Sequence, residues 1–332
     1  MHPPTERNPG TLVISLDFEL HWGVRDRRSI AACRASFDKV HSVVPELLRI
    51  FTEWEIHATW ATVGMLFFGA KQDLLAGLPV RRPKYRHGEL SPYSEFDNLG
   101  ADYHEDPYHF APGLIRMIAG APDQEIGTHT FSHYYCLEDG QTADDFKADL
   151  EAAIAAAKQL GIVLKSIVFP RNQYASPHLA ICEALGFTAY RGNPEIWFWR
   201  PRKTAEDSLT TRAVRLLDAY VPLSGHDCWA VAEAVAGPLV NVKASRFLRP
   251  VGPAITKLDS LRLHRIKCDM QHAARQGCVY HLWWHPENFG QHPTQNLEFL
   301  GAVLDRFDRL RAAEGMQSLN MGELAEVARV RG

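Results

Sequence analysis

Two acidic side chains stand close together near the start of the chain, in the segment SLDFELHWG. Asp17 and Glu19 are two positions apart, so both carboxylates face the same side if this segment is extended. Carboxylates that lie this close repel each other, and a cation or a shared proton relieves the repulsion. The pair therefore predicts a metal site or an acid–base site. So short a motif is equally compatible with one salt-bridged and one solvated carboxylate at the end of a strand.

Two histidines with metal-ligand spacing follow in the segment EIGTHTFSH. A separation of four residues places His129 and His133 on one face of a helical turn, from which both imidazoles can reach one divalent cation. An isolated histidine pair is often a feature of the surface. Considered together with the acidic pair, these two histidines predict metal binding.

Two further polar residues suit the chemistry of such a site. Arg171 follows the apolar segment SIVFP directly, and a guanidinium there can orient a carboxylate through two hydrogen bonds. His285 ends the apolar segment CVYHLWWH before Pro286, and a histidine in that position suits a proton donor. The alternatives are a surface arginine in a turn and a histidine whose hydrogen bonds are satisfied within the core. His281, in the same segment, is expected to be structural.

The elements that must position these residues alternate between strands and helices. Short apolar runs predict strands at 11–17, 58–64, 124–128, 166–170, 187–192 and 278–285. Helical spacing predicts helices at 36–54, 111–119, 142–160, 177–185, 206–217, 228–236, 261–276, 294–313 and 321–330. This alternation predicts a parallel α/β sheet or barrel, in which the carboxyl ends of the strands share one face. Asp17, His129, Arg171 and His285 all fall at or just after such ends, which predicts one common site.

One long segment interrupts the pattern. Residues 65–108, after the second strand, contain prolines, aromatics and charges without any period. The aromatics argue against disorder, so an ordered insertion that covers the catalytic face is expected. No linker or repeat divides the chain, and residues 1–332 are therefore expected to form one domain. The block 200–265 has no role that the sequence assigns.

Composition excludes several classes of protein. The chain has 332 residues, 46% hydrophobic and 23% charged, with a formal net charge of −3, so no basic face for nucleic acid is expected. No apolar run approaches the ~20 residues of a membrane helix, and the N-terminal segment MHPPTERNPG lacks the apolar core of a secretion signal. Six scattered cysteines without a C-x-x-C pair favour free thiols. A cytoplasmic enzyme without an integral membrane segment is expected, and the oligomeric state stays open.

The motifs D-F-E, H-T-F-S-H and the late H-P resemble those of the polysaccharide deacetylase family, also called the NodB-homology or carbohydrate esterase family 4 group. The resemblance extends over about residues 11–290 and implies a distorted (β/α) barrel with fewer than eight strands. It also implies roles for the residues that match: Asp17 as catalytic base, His285 as general acid, and Glu19, His129 and His133 as metal ligands.

Two departures from the family pattern accompany this resemblance. The arginine motif is commonly R-P-P-Y in the family, whereas residues 171–174 read R-N-Q-Y. Many members have two adjacent aspartates, whereas here the acids are separated by Phe18 and the second is glutamate. The resemblance still implies that Arg171 keeps Asp17 oriented and ionised, and that the backbone N–H of Tyr174 stabilises the oxyanion.

The implied reaction is the metal-dependent removal of an N-linked acyl group, expected to be acetyl, from a sugar. A divalent ion, expected to be Zn²⁺, would lower the pKa of a bound water from ~15.7 toward ~7 and polarise the acyl carbonyl. The expected substrate is an acylated amino sugar of polysaccharide biosynthesis, carried on a nucleotide or a lipid. Two alternatives stay open: another C–N hydrolysis, such as deformylation or ring-amide opening, and a non-catalytic carbohydrate-binding protein on the same barrel.

Overall fold

The computed structural model describes residues 8–235, 237, 239–252 and 256–331. The strands in this part of the chain are β1 Thr11–Phe18, β2 Ala58–Thr62, β3 Gln124–Thr128, β4 Ser166–Val168, β5 Ala189–Arg191, β6 Trp229–Ala230, β7 Val240–Asn241, β8 Arg246–Phe247, β9 Cys278–Trp284 and β10 Gln317–Ser318. The α-helices are α1 Ile30–Phe37, α2 Val40–Glu53, α3 Lys71–Ala76, α4 Pro112–Gly120, α5 Ala143–Gln159, α6 Ser176–Ala184, α7 Leu209–Asp218, α8 Thr256–Gln276, α9 Pro293–Glu314 and α10 Met321–Arg331.

All of these strands belong to one curled sheet. Along its main path the order is β6-β9-β1-β2-β3-β4-β5-β7, with β10 beside β1 and β8 beside β9. Every neighbouring pair from β9 to β7 is parallel, and only β6 runs antiparallel to its neighbour β9. Parallel strands joined by helices are buried on both faces, which explains why every residue of β1 is buried. The predicted distorted (β/α) barrel is therefore confirmed, whereas the expected number of fewer than eight strands is wrong, because the sheet has ten strands among the described residues.

A short segment between β7 and β8 connects the two ends of the sheet. β7 pairs with β5, whereas β8 pairs with β9. Between them, the backbone N–H of Ala244 donates to the carbonyl of Gly192 (2.8 Å), and that of Ser245 donates to the carbonyl of His281 (2.9 Å). The ends of β5 and β9 are thereby brought together across the barrel, which places Arg191 and His285 at one edge.

Two predicted helices differ from the observed elements. The pattern at 36–54 is α2 preceded by a separate helix, α1, which begins after the capping residue Ser29. The predicted helix at 228–236 is wrong, because Trp229 and Ala230 form the edge strand β6 against β9 and a 3₁₀ turn follows. Apolar residues at this spacing fit either structure, and the unpaired edge of β9 offers backbone partners that decide between them.

Residues 65–108 are ordered and pack at the carboxyl edge of the sheet. The hydroxyl of Tyr85 accepts a hydrogen bond from the backbone N–H of Tyr135 (2.9 Å), and Arg25 donates to the carbonyl of Glu89 (2.8 Å). The segment therefore supports the loops that follow β1 and β3. None of the helices that the structure describes has both the length and the apolar character needed to span a membrane.

Candidate active site

The two acids lie at the carboxyl end of β1, and both are buried. Asp17 belongs to the strand, whereas Glu19 lies beyond its end with φ −129° and ψ −22°. The chain then turns through a 3₁₀ helix that begins at Leu20, a residue with φ +47°. Gly23 leaves the space that the carboxylate fills, because a Cβ at this position would lie 2.0 Å from Cδ of Glu19. The expected extended D-x-E segment is therefore wrong at Glu19, although both carboxylates do reach the same site.

Three donor atoms of metal-ligand type converge beside β1. Nε2 of His129 lies 3.3 Å and Nε2 of His133 lies 3.0 Å from Oε2 of Glu19, and the three donor atoms all lie within 4.8 Å of one another. A tetrahedral zinc ion with ligand bonds of ~2.0–2.2 Å separates its donors by roughly 3.3 Å, so the spacing fits. Nδ1 of His129 is bonded to the carbonyl of Val168 (2.9 Å), which leaves Nε2 for an ion.

The charge states of two of these groups also suit a cation. Burial lowers the pKa of His133 to about 4 even though Glu19 opposes the shift, so this imidazole is neutral at neutral pH. Burial would raise the pKa of Glu19, but the neighbouring His285, His133 and His129 hold it well below its usual range. A neutral imidazole and an ionised carboxylate are the forms that coordinate a metal.

The loop that carries the two histidines is not helical. Thr130 has φ +62° and His133 has φ +55°, both in the left-handed region that non-glycine residues rarely adopt. The carboxylate of Asp149 holds this loop, because it accepts a hydrogen bond from the backbone N–H of Phe131 (2.7 Å). The expected helical turn is therefore wrong. The two imidazoles meet because of a strained loop, a kind of conformation that is concentrated at functional sites.

Asp149 makes the stability of this loop depend on pH. Burial raises its pKa to about 7 from an ordinary 3.8, although hydrogen bonds from Ser132 and Phe131 oppose the shift. The folded state therefore binds more protons than the unfolded state between these pH values. Wild-type stability should fall as the pH rises from about 4 to 7, by at most ~1.4 kcal/mol per pH unit from this group.

Asp149→Asn removes this titration while keeping the shape of the side chain. In thermal denaturation the variant should gain stability relative to wild type between pH 5 and pH 8. Asp144→Asn, on the exposed side of the same helix, is the matched control, and its melting temperature should change with pH as that of wild type does. If the melting temperatures of Asp149→Asn and wild type changed with pH in the same way, the Asp149 carboxyl would have an ordinary pKa.

Asp17 is held by an arginine at the end of β5. Nη1 of Arg191 lies 2.6 Å from Oδ1 of Asp17 and Nη2 lies 2.7 Å from Oδ2, in a buried bidentate pair. The same guanidinium also donates to Ser15 Oγ (3.0 Å) and Asn172 Oδ1 (3.3 Å). Burial would raise the pKa of Asp17, but Arg191 and the nearby His129 hold it below its usual value. The carboxylate is therefore ionised and fixed in orientation.

Arg171 does not make the expected pair with Asp17. It lies in the 3₁₀ turn Pro170–Asn172 with φ +52°, and this left-handed turn directs its side chain to Asp26. Its guanidinium also lies 4.2 Å from the centroid of the Tyr135 ring. The hydroxyl of Tyr135 is 3.2 Å from Nδ1 of His133. Arg171 thus packs on Tyr135, which in turn contacts the candidate ligand His133, and does not orient Asp17.

His285 lies between the two buried acids and the rings of Phe247 and Trp283. Its Nε2 is 3.3 Å from Oε1 of Glu19 and 3.9 Å from Oδ2 of Asp17. Its side chain is 24% exposed, whereas the acids are almost fully buried. Behind it, burial and the charge of Glu19 raise the pKa of Glu287 well above its usual range, so this carboxyl is neutral. Glu287 was not identified from the sequence, where its only signal is its position two residues after His285.

Tyr174 is packed beside the site. Its ring lies 5.2 Å from that of Phe169 and 5.5 Å from that of Tyr190, and its hydroxyl accepts a hydrogen bond from the backbone N–H of Asn193 (3.3 Å). These contacts fix the backbone that follows Arg171. They concern the side chain, whereas the expected role of Tyr174 concerns its backbone N–H.

A pocket of about 580 Å³ is lined in part by Phe247 and Trp283, whose rings contact that of His285. Most of its wall comes from residues 199–216. Within the described part of the chain, no residue of 65–108 contributes to this wall. Most of the wall comes instead from the block 200–265, to which the sequence assigned no role. Its high density of arginines was the available signal.

Comparison with known proteins is consistent with this arrangement. Residues 28–190 match a family model described as Polysaccharide deacetylase. The matched range contains His129 and His133, but it begins after Asp17 and Glu19 and ends one residue before Arg191. No match was found among curated proteins.

Several solved structures share the fold. A protein from Mycobacterium smegmatis described as a polysaccharide deacetylase has a TM-score of 0.60 at 16% identity, covering 99% of this chain and 93% of the other. A similarly described protein from Pseudomonas aeruginosa PAO1 has a TM-score of 0.55 at 10% identity, with coverages of 95% and 89%. An allantoinase has a TM-score of 0.54 at 10% identity, with coverages of 98% and 91%. At these identities the likeness concerns the fold.

Proposed function

Because the chain belongs to the polysaccharide deacetylase family, we propose that it is a metal-dependent hydrolase that removes an acyl group, acetyl above all, from the nitrogen of an amino sugar. One observation carries the proposal. The three donor atoms of Glu19, His129 and His133 lie within 4.8 Å of one another, beside an aspartate whose carboxylate is fixed by an arginine. A carbohydrate-binding protein has no need of that ionised carboxylate, whereas amide hydrolysis needs a base there.

Glu19, His129 and His133 would hold the ion. One carboxylate oxygen and two imidazole nitrogens form a set that suits Zn²⁺ and leaves a position open. When bound, the ion supplies a Lewis acid for the acyl carbonyl and lowers the pKa of a water.

Asp17 and His285 would handle the protons. Arg191 occupies one lone pair on each oxygen of Asp17, and the remaining lone pairs can accept a proton from the attacking water. His285, whose side chain is partly exposed, would donate a proton to the leaving amine. The backbone N–H of Tyr174 would stabilise the developing oxyanion.

The substrate would be an acylated amino sugar, carried on a nucleotide or a lipid. Three aromatic side chains of the pocket, Trp199, Phe247 and Trp283, offer flat surfaces on which a sugar ring can pack. Phe247 and Trp283 both contact the ring of His285, at centroid distances of 5.8 and 5.9 Å. A sugar packed there would present its acylated nitrogen toward the proposed acid.

The test is a product assay on a panel of N-acylated amino sugars. Acetate release is expected, with loss after treatment with a chelator and recovery on addition of Zn²⁺. His129→Ala should lose metal affinity by more than the ~10–100-fold typical for loss of an outer hydrogen-bond partner. His41→Ala, an exposed histidine on α2, is the matched control and should keep its metal and activity.

The products also separate the alternatives. Release of formate would identify a deformylase, and release of ammonia or opening of a cyclic amide would identify a ring-amide hydrolase. A protein that binds sugars but releases nothing, with metal present, would be a non-catalytic binding protein. Each of these results would contradict the proposed deacetylation.

A further inference from the structure

The pocket beside His285 is strongly basic. Seven arginines and one lysine line it, against one acid, Asp207. Four of the eight cations are near carboxylates: Arg171 and Arg27 lie beside Asp26, Lys203 beside Asp139, and Arg215 beside Asp207. The pocket therefore carries several positive charges that nearby carboxylates do not neutralise.

The other four cations have no carboxylate partner among the residues that the structure describes. They are Arg200, Arg202, Arg212 and Arg249. Arg202 is held in place by hydrogen bonds to the carbonyl of Trp197 (2.7 Å) and to Thr211 Oγ1 (3.2 Å). Arg249 is only partly exposed, and burial contributes most to lowering its pKa. Four like charges around one cavity repel each other, and a multiply charged anion would relieve the repulsion.

The exposed part of the same pocket wall also carries apolar side chains. Leu209 and Leu216 of α7 line it and are 80% and 44% exposed, and Leu217 on the same helix is 50% exposed. Of the 14 large hydrophobic side chains that are exposed among the described residues, eight lie between residues 197 and 261. A helix that combines exposed leucines with arginines is typical of elements that lie at a membrane surface.

Trp283 and Asn172 connect the pocket to the proposed catalytic site. Trp283 lines the pocket, and its ring also lies 4.2 Å from the guanidinium carbon of Arg191, which holds Asp17. Asn172 lines the pocket too and accepts a hydrogen bond from Arg191. One ligand can therefore place a sugar at the carboxyl edge of the sheet and a second group among the arginines.

We propose that the substrate is an acylamino sugar joined through a phosphate or diphosphate to a long-chain lipid. This inference rests on the proposed function. The phosphoryl oxygens would bind the unpaired arginines, whose planar forks match phosphate geometry. The lipid chain would leave along the exposed leucines of α7 toward a bilayer. The exposed leucines of α7 favour a lipid carrier over a nucleotide, because a nucleotide would leave them in water.

Binding of inorganic pyrophosphate to the full-length protein tests the arginine part by calorimetry. Wild type should bind it at one site, more weakly as salt is raised. Arg200→Gln combined with Arg212→Gln should weaken binding about tenfold or more, the effect of losing at least one charge-assisted hydrogen bond. Arg116→Gln, an exposed arginine on α4 outside the pocket, is the matched control. Equal affinities for wild type and the double variant would overturn the proposal.

Sedimentation with phosphatidylcholine vesicles tests the lipid part. Wild type should sediment with vesicles that contain a polyisoprenyl phosphate and should not sediment with vesicles that lack it. Leu209→Asn combined with Leu217→Asn should reduce vesicle binding while leaving pyrophosphate binding unchanged. Val163→Asn, a 77% exposed apolar residue elsewhere, is the control. The proposal would be overturned if uridine diphosphate bound more tightly than pyrophosphate without vesicle binding, or if the leucine substitutions instead dissociated a dimer.

These binding measurements need no turnover, so the lipid-linked substrate and the proposed function can be rejected independently of each other. Binding as expected without release of any acyl group from any sugar would reject the deacetylase and keep the lipid phosphate site. Release of acetate from free sugars, with no binding of pyrophosphate, would reject the lipid-linked substrate and keep the deacetylase.

Discussion

Asp17→Asn should lower kcat by about 10²–10⁴-fold, the usual contribution of a general base, while the protein keeps its metal. Asparagine preserves the size of the side chain but cannot take a proton from water. Asp17 does not belong to the group of three donor residues, Glu19, His129 and His133, so metal content should not change. Steady-state kinetics and metal analysis on the same preparations measure both effects.

Glu19→Gln is the matched control for this substitution, because it makes the same change two residues away. It should lose metal and activity together and recover part of both when excess metal is supplied. If Asp17→Asn loses the metal while Glu19→Gln keeps it, the two roles are reversed. If both variants behave like wild type, the motif has no part in catalysis.

Arg191→Gln should be among the most destabilising substitutions in the chain, costing about 3–5 kcal/mol near pH 7. It removes one partner of a buried ion pair and leaves Asp17 without its cation. The pKa of Asp17 lies below 3.8 in the folded protein, so the pair stabilises the fold above that pH and its contribution is lost as the pH falls through the folded value. The difference in the free energy of unfolding between variant and wild type, measured by denaturant unfolding, should therefore become smaller at acid pH. Activity should fall as well, because the base is no longer oriented.

Arg171→Gln distinguishes this role from the one that the sequence suggested. It leaves the pair of Asp17 and Arg191 intact and removes the support of Tyr135 behind His133. We expect a loss of metal affinity of ~10–100-fold, as for other outer partners of ligands, with a smaller loss of stability. If instead Arg171→Gln proved the more destabilising of the two, Arg191 would not be the residue that fixes Asp17.

The sequence predicted correctly the part of the fold that consists of long, buried strands. β1, β2, β3 and β9 are apolar runs long enough to be recognised, and polar residues at or just after the carboxyl ends of β1, β3 and β9 mark the site. Asp17, His129 and His285 meet for that reason. The two-residue strands β6, β7 and β8 carry no such signal, because so short a pair depends on which neighbouring edge is unpaired.

The choice between two arginines shows what the sequence could not resolve. Arg171 and Arg191 both come at the end of a strand, and either could reach a carboxylate on β1. The left-handed conformation of Arg171 directs its side chain away from Asp17 and leaves that position to Arg191. The sequence does not indicate this conformation, because the residue that adopts it is not a glycine. The same holds for Thr130, whose positive φ breaks the helical turn that the histidine spacing predicts.

Trp283 has a consequence for how this protein can change. Its indole packs on Arg191, lies 5.9 Å from the ring of His285 and forms part of the pocket wall. A substitution there would alter the fit of a ligand and the alignment of the base in one step, so its effects should not add to those of substitutions at Arg191. Arg212 and Leu216 line the same pocket from α7. Among the described residues, no hydrogen bond, ion pair or ring contact joins them to Arg191 or Trp283. Natural or directed evolution toward new substrates is therefore freer along α7 than at Trp283, where adaptation requires coupled changes.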